Sequence, residues 1–223
     1  MPEGWHAPDI LVHCASSGRG GADSYRSIYR DGLENVLCAF APRRVIFTGS
    51  TSVYSQVDGL LVTEESPANP LVETGMVLLE AEALALQAGG IVARLSGLYG
   101  PGRAVYLRKF LEGTAVIEDG GRRWINQIYR DDAAAALLRL ADEAVVPGIY
   151  NVCDDTPCMQ RELYRWIADY LQGSLPPEGP AERNPKRGWT SKRVSNAKLR
   201  ATGWRPEFPS YRDALPLLAK RDA

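Results

Sequence analysis

The sequence predicts an α/β fold built on a parallel β-sheet. Short apolar runs rich in β-branched residues, which are typical of strands, alternate four times with segments of helical periodicity. Strands separated by helices pair in parallel, because each helix carries the chain back across the sheet. A chain of 223 residues is long enough to bury one sizeable core, so we expect a single domain.

The first half of the chain carries the clearest strand and helix signals. The apolar run 10–12 predicts the opening strand, and a glycine loop at 18–21 separates it from a helix. That helix places apolar residues on one face at Leu33, Val36, Leu37 and Phe40. The next predicted elements are a strand at 43–49, a helix at 72–86 that stops at Gly89 and Gly90, and a strand at 90–97.

Turn and cap residues predict the second half. Asp119-Gly120-Gly121 predicts a hairpin between two strands within 114–129, since Asp-Gly tolerates the positive φ of tight hairpins. The segment 173–188 is rich in proline and charge and predicts an extended loop. The other expected elements are a helix capped by Asp131 or Asp132, a strand at 148–154, a helix started by Thr156-Pro157, a short helix capped by Ser195 and a closing helix at 211–220.

Composition excludes several classes of protein. Lys plus Arg number 26 against 27 Asp plus Glu, which gives no electrostatic reason to expect nucleic acid or an anionic membrane as a partner. The four cysteines have no paired spacing, so we expect reduced thiols and no metal site. The sequence shows neither a membrane-length apolar run nor a signal peptide, so we expect a cytoplasmic protein.

The glycine loop fails the dinucleotide fingerprint G-x-G-x-x-G. Gly18 and Gly20 occupy its first two positions, but Asp23 occupies the third and would set a carboxylate against a phosphate. The second strand is also followed by hydroxyl residues instead of the acid that holds the ribose. The loop is therefore either a plain strand-to-helix connection or part of a site that other elements complete.

A serine hydrolase is a separate hypothesis. It needs a nucleophile, a histidine base and an orienting acid, and the chain has two histidines, His6 and His13. The triad would have to join His13 to Ser50, and the G-x-S-x-G elbow is absent from this part of the sequence. An esterase using Ser50 or another exposed hydroxyl stays open, as does a binding or scaffold protein without catalysis.

Successive segments of the chain resemble the motifs of one known family, the extended short-chain dehydrogenases/reductases of the NAD-dependent epimerase/dehydratase group. These segments, in order, are "DILVHCAS", "YRDGLENVL", "VIFTGSTSVY", "VARLSGLYGPGR", "INQIYRDDAAAAL", "GIYNVCDDTP" and "SNAKLRATGWRP". The resemblance implies a Rossmann-type parallel sheet with flanking helices and a small C-terminal substrate lobe. We expect one domain over 1–223, with lobe segments at about 105–129 and 174–206.

Two departures from the family pattern bear on activity. The family's N-terminal glycine-rich segment has no counterpart before Met1, so an N-terminally truncated domain is expected. The family's Y-x-x-x-K pair is replaced by Thr74 and Leu78. A threonine hydroxyl ionises too weakly to act unaided as a base near neutral pH, so impaired chemistry is expected.

The resemblance implies roles for particular residues. Ser50, with Thr51 beside it, matches the position that binds the reacting oxygen, and Tyr29 is a candidate for the missing phenol. Residues matching cofactor positions are Ala15, Ser16, Ser17, Leu95, Ser96 and Gly97, and those matching substrate positions are Arg103, Asn126 and Arg193. Strand-end capping by Ser50, helix packing by Tyr29 and solvated arginines are the structural alternatives.

The resemblance also implies cofactor and partners. The expected cofactor is NAD or NADP, and the expected substrate is a sugar nucleotide or a similar hydroxylated small molecule. In the family's strand order, the missing half pairs with the strand at 10–14, so that strand becomes an exposed edge. We therefore expect a homo-oligomer formed through this edge.

Overall fold

The computed structural model describes residues 7–18, 20–181 and 189–222. His6 and the residues 182–188 of the expected proline-rich loop lie outside this range. The strands are β1 Ile10–His13, β2 Arg44–Ser50, β3 Leu61–Val62, β4 Ile91–Leu95, β5 Gly97–Tyr99, β6 Ile117–Glu118, β7 Trp124–Ile125, β8 Gln127–Tyr129, β9 Gly148–Val152, β10 Cys158–Met159, β11 Glu178–Gly179 and β12 Arg193–Val194.

Seven helices connect the described strands. The first, α1, is continuous over Ala22–Tyr25, Arg26–Asp31 and Gly32–Phe40, and its middle part is wound as a π-helix. The others are α2 Glu73–Gln87, α3 Val105–Leu111, α4 Arg130–Ala141, α5 Gln160–Leu171, α6 Ala197–Ala201 and α7 Tyr211–Asp222. Short 3₁₀ turns occupy Thr51–Val53 and Asp119–Gly121.

The main sheet has four parallel strands in the order β1-β2-β4-β9. The predicted α/β class and parallel pairing are therefore confirmed. In β2, Val45 and Phe47 pack into one apolar cluster, while Ile46 between them packs into a cluster on the opposite face. This alternation buries both faces of the strand, as expected of a parallel sheet covered by helices on both sides.

The predicted hairpin within 114–129 is wrong. Strand β6 pairs in parallel with β11, and β7 pairs antiparallel with β10, so the two strands find partners far away in sequence. Gly120 and Gly121 do adopt positive φ values of 74° and 70°. The Asp-Gly signal located a turn but could not specify the strands' partners, which packing decides.

None of the three predicted helix caps stands at the cap position in the structure. Tyr129 precedes α4, and the Asp132 carboxylate accepts hydrogen bonds from the Glu207 and Phe208 amides at 2.7 and 3.0 Å. Strand β10 separates Thr156-Pro157 from α5, which begins at Gln160. Asn196 precedes α6 at the cap position, and Ser195 lies one residue before it, where its Oγ accepts a hydrogen bond from the Ala197 amide at 3.2 Å. Helix α3 was not predicted.

A separate apolar cluster forms a lobe beside the sheet. Leu107 of α3, Leu163 and Ile167 of α5, and Leu215 and Leu218 of α7 are all fully or almost fully buried in it. Strands β5 and β8, which pair in parallel, join this lobe to the sheet. The lobe therefore stands at the end of the sheet where β4 finishes.

Candidate functional site

A cavity of about 940 Å³ opens where β1, β2 and β4 end. The strands are parallel, so their carboxyl ends meet at one edge of the sheet, where such sheets bind ligands. The described residues that line it are Cys14 to Ser16, Tyr25, Tyr29, Thr48 to Ser52, Leu78, Leu95 to Tyr99, Arg103, Val105, Tyr106, Arg123 to Gln127, Arg130, Ala133, Ala134, Leu137, Thr190 and Lys192. One wall thus comes from the sheet and the other from the lobe.

The end of β2 brings hydroxyl groups into the cavity. Ser50 Oγ accepts a hydrogen bond from the Ser52 amide at 3.2 Å, which starts the 3₁₀ turn that follows the strand. Thr51 Oγ1 lies 3.5 Å from Ser96 Oγ at the end of β4. Ser50 therefore caps a turn and lines the cavity at once, while Thr51 and Ser96 join two strand ends.

A buried ion pair between α2 and β4 packs against the end of β2. Arg94 of β4 meets the Glu82 carboxylate of α2 with N–O distances of 2.6 and 3.0 Å. Burial raises the pKa of Glu82, and the hydrogen bonds from Arg94 oppose that rise. A Cβ on Gly49 would come within 3.0 Å of Glu82 Oε1, so the glycine lets β2 pass close to the pair.

Tyr29 and Tyr25 line the side of the cavity nearest β1. The Tyr29 hydroxyl donates to Ser16 Oγ at 3.4 Å. Its ring packs against Tyr25, with centroids 4.9 Å apart, and edge-on against Phe47 at 6.3 Å. Tyr29 therefore combines helix packing with a phenol at the cavity wall.

The residues matching cofactor positions fall on two strand ends. Ala15 and Ser16 follow β1 and line the cavity, whereas Ser17 does not line it. Leu95, Ser96 and Gly97 line it from the end of β4. A Cβ on Gly97 would lie 3.1 Å from the Asn126 carbonyl oxygen, so a glycine permits the close approach of β4 to the lobe.

The residues matching substrate positions are placed differently from one another. Arg103 is exposed and lines the cavity. Asn126 lines it too, but its amide donates to the Lys192 carbonyl at 2.8 Å and accepts from the Val194 amide at 2.7 Å. Arg193 is not among the lining residues, and its Nε donates to the Gly59 carbonyl at 3.0 Å. Its guanidinium lies 5.3 Å from the Trp124 ring centroid.

Lys192 and Arg123 also line the cavity. Neither residue was predicted from the sequence as a site residue. Lys192 is only 4% exposed, and burial, with the nearby charge of Arg123, lowers the pKa of its amine to about 8. In the sequence, each basic residue sits in a polar, charge-rich segment, which is typical of a solvated surface. Only the packing of the lobe against the sheet shows that they face a cavity.

The remaining candidates lie around the cavity. Leu78 lines it, while Thr74 is buried and is not among the lining residues. His13, the base that the hydrolase hypothesis needs, packs 5.7 Å from the Phe47 ring and does not line it, and burial lowers its pKa. Within the described ranges, no cluster of three metal-ligating side chains occurs, and none of the helices could cross a membrane.

Comparison with known sequences gives a family match and relatives of this chain. The sequence model of the NAD dependent epimerase/dehydratase family matches residues 5–153. Protein YeeZ of Escherichia coli K12 is 31% identical over 175 residues, covering 76% of this chain and 61% of YeeZ. A 3-diazoavenalumate denitrifying reductase of Streptomyces is 33% identical over 144 residues, covering 56% of this chain and 46% of that protein. The chain thus spans about three-fifths of the length of YeeZ.

Solved structures share the fold over nearly the whole chain. One described as an NAD-dependent epimerase/dehydratase of Methylobacillus flagellatus has a TM-score of 0.78 at 33% identity, covering 96% of this chain and 76% of that one. RMD of Pseudomonas aeruginosa, solved with NADPH, has a TM-score of 0.76 at 26% identity, covering 99% of this chain and 81% of that one.

Proposed function

Because the chain belongs to the NAD dependent epimerase/dehydratase family, we propose that it acts as an NAD(P)-dependent reductase, epimerase or dehydratase. The observation that carries this proposal is the cavity at the carboxyl ends of β1, β2 and β4. A reductase among the relatives and NADPH in the RMD structure support the cofactor class. The substrate class, a sugar nucleotide or a similar hydroxylated molecule, rests on the family resemblance.

The described residues fit the nicotinamide end of a dinucleotide. A volume of about 940 Å³ is at the upper end of the usual range for small-molecule pockets. Ala15 and Ser16 would border the cofactor from β1, and Leu95, Ser96 and Gly97 from β4, where Gly97 keeps the strand end free of a Cβ. When bound, NAD(P) supplies hydride exchange at its nicotinamide ring. Gly18, Gly20 and Gly21 do not line the cavity, so we assign them no phosphate contact.

The chain's own hydroxyl groups would hold the reacting oxygen. Ser50 keeps its hydroxyl hydrogen while it accepts from Ser52, so it can donate to a ligand. Thr51 is held by Ser96, and we assign it to support this position. Tyr29 would contact the ligand from the β1 side beside Ser16. With Thr74 and Leu78 at the family's acid–base positions, we expect slow turnover.

The lobe would hold the substrate. We assign to it the segment 105–129 and, from the expected segment 174–206, the described residues 174–181, where β11 pairs with β6. Leu199 and Trp204 pack in the apolar cluster of the sheet. We assign Arg103, at the lobe's entrance, to an anionic group of the substrate. Asn126 would act by fixing the chain at 192–194, because its side-chain oxygen and nitrogen already bond that segment. Arg193 would act indirectly, because its guanidinium contacts the Trp124 ring and Trp124 lines the cavity.

Titration with NADH and NADPH, followed by fluorescence and calorimetry, tests the proposal. Ala15→Trp puts an indole at the cofactor wall and should weaken binding at least about tenfold, equivalent to about 1.4 kcal/mol. Ala83→Trp is the matched control, since Ala83 is exposed on α2 and does not line the cavity. Absence of binding to the unaltered chain at millimolar dinucleotide would overturn the proposal and favour a scaffold.

We also propose that the chain pairs with a second copy through β1. Among the described strands, β1 pairs only with β2, so its other edge has unpaired backbone groups. Ile10 and Val12 are each 42% exposed on this strand. An exposed apolar edge associates with another strand, and a second β1 related by a two-fold axis presents an identical edge.

A further inference from the structure

Lys192 lies between the ends of two strands of the main sheet. Its Nζ donates to the Tyr54 carbonyl at 2.8 Å, and Tyr54 follows the 3₁₀ turn that leaves β2 at Ser50. Its carbonyl accepts from Asn126, whose own carbonyl accepts from the Gly97 amide after β4. These contacts place the lysine at the same end of the sheet as Ser50 and Gly97, on the lobe side of the cavity.

The amine has two fixed partners and one open position. Its second hydrogen bond goes to Thr190 Oγ1 at 2.9 Å. An ammonium has three N–H groups, so the two acceptors leave one tetrahedral position on Nζ without a described partner. In the protonated form this position carries a hydrogen, and in the neutral form it carries the lone pair. Either form can therefore exchange a proton there.

Burial and, after it, the positive charge of Arg123 lower the pKa of Lys192. Among the described residues no carboxylate forms an ion pair with Lys192, and the charged group that acts on its pKa is Arg123. Arg123 is itself 3.8 Å from Glu118 and donates to the Thr190 carbonyl. Arg193, the next residue, is turned to Gly59. Burial and like charge together bring the pKa of Lys192 to about 8, within reach of physiological pH.

We propose that Lys192 exchanges a proton with the reacting oxygen of the substrate. The proposal rests on the proposed function, and it supplies the acid–base group that neither Thr74 nor Leu78 can provide. Bound NAD(P)H would supply the hydride to the carbonyl carbon in a reduction, and the C=O π pair would move to oxygen. That oxygen takes a proton from Lys192 Nζ, leaving an alcohol and a neutral amine. Oxidation of the alcohol runs through the same transfers in reverse.

The first experiment measures the amine without requiring turnover. The full chain is labelled with trace acetic anhydride from pH 6 to pH 11, and the acetylated peptides are quantified by mass spectrometry. We expect labelling of Lys192 to reach half its maximum near pH 8, well below the value of about 10.4 that is usual for a lysine. The exposed Lys198 and Lys220 are quantified in the same samples as references. A Lys192 midpoint at or above that of Lys198 would overturn the proposal, whether or not any substrate is found.

The second experiment separates proton transfer from a structural role. Oxidation of NADH and NADPH is followed with a panel of ketones and aldehydes for the unaltered chain, Lys192→Met, Lys192→Arg and the control Lys198→Met. We expect both Lys192 variants to lose about 100-fold in kcat while binding dinucleotide within about twofold of the unaltered chain. Lys192→Arg keeps the positive charge, so its loss would show that charge alone is insufficient.

The pH profile decides between the remaining explanations. Reduction needs the ammonium form, so the kcat of the unaltered chain should fall as pH rises through about 8, and this limb should be absent from the residual activity of Lys192→Arg. Full activity in Lys192→Met, or an unchanged limb in Lys192→Arg, would overturn the assignment. If the unaltered chain reduces no carbonyl although labelling gives a midpoint near 8, the proton exchange assigned to Lys192 is overturned, and dinucleotide binding decides the proposed function separately.

Discussion

At the scale of single residues, the ion pair of Glu82 and Arg94 supports the end of β2 that lines the cavity. Both side chains are almost completely buried, at 3% and 4% exposure. Arg94 also lies 4.8 Å from the Tyr54 ring centroid, and the Tyr54 hydroxyl donates to Asn151 Oδ1 at 2.9 Å. The pair therefore connects α2, β4 and the turn after β2, and it holds in place the residue whose carbonyl accepts from Lys192.

Glu82→Gln should be strongly destabilising. The change leaves the Arg94 guanidinium buried without a counter-charge, which typically costs about 3–5 kcal/mol. The control Glu80→Gln removes the acid of the Arg26–Glu80 pair, which is 44% exposed on both sides, and should cost less than about 1 kcal/mol. Urea unfolding of both variants measures the difference. Equal losses in the two variants would contradict the supporting role of the buried pair.

At the scale of elements, Asn126 fixes the short strand β12 against the junction of β7 and β8. Its side chain bonds the Lys192 carbonyl and the Val194 amide, as a neighbouring strand would. On its other edge, β12 pairs in parallel with β3, which has two residues. A strand this short has few ladder hydrogen bonds of its own, so we infer that Asn126 sets the position of Lys192.

Asn126→Ala should loosen this segment. Losing both hydrogen bonds should reduce the free energy of unfolding by about 1–3 kcal/mol, because the Val194 amide is left without an acceptor. Hydrogen–deuterium exchange should speed up at 192–194 before it does in β2 or β4. Asn35→Ala, on the exposed face of α1, should change stability by no more than about 0.5 kcal/mol. Unaltered exchange at 192–194 would contradict the inference.

The elements also show where the sequence was informative. Strands β1, β2, β4 and β9 and helices α1, α2 and α4 follow from runs of apolar residues and their periodicity, which are local properties. Helix α3 and the partners of β6 and β7 do not, because two-residue strands carry almost no pattern. Likewise, Asp132 looked like a helix cap and instead bonds two amides more than 70 residues away.

At the scale of the whole molecule, the sheet ends at β1 on one side and at β9 on the other. The side chains of these two outer strands differ in how deeply they are buried. In β9, Tyr150 and Val152 are buried in an apolar cluster, whereas Ile10 and Val12 of β1 are exposed. The asymmetry points to β1 as the surface through which copies of this chain would meet.

Val12→Lys should weaken that association. A lysine on an exposed edge strand opposes strand pairing, so the dimer should dissociate at about tenfold higher protein concentration or more. Leu138→Lys is the control, because Leu138 is an exposed apolar residue of α4, 76% exposed, away from the edge. Size-exclusion chromatography with light scattering reports the mass. A monomer at high concentration of the unaltered chain would exclude pairing through β1.

The sequence by itself determined the α/β class, the parallel sheet, the family and the strand ends that carry Ser50, Thr51, Ser96 and Gly97. These follow from local patterns, because parallel strands bring their carboxyl ends to one edge whatever the details of packing. The tertiary structure decided which basic residues line the cavity: Lys192 and Arg123 do, and Arg193 does not. It also decided that the Asn126 side chain bonds the backbone of 192–194. Each of these depends on how the lobe packs against the sheet, which joins residues distant in sequence and leaves no periodic signal.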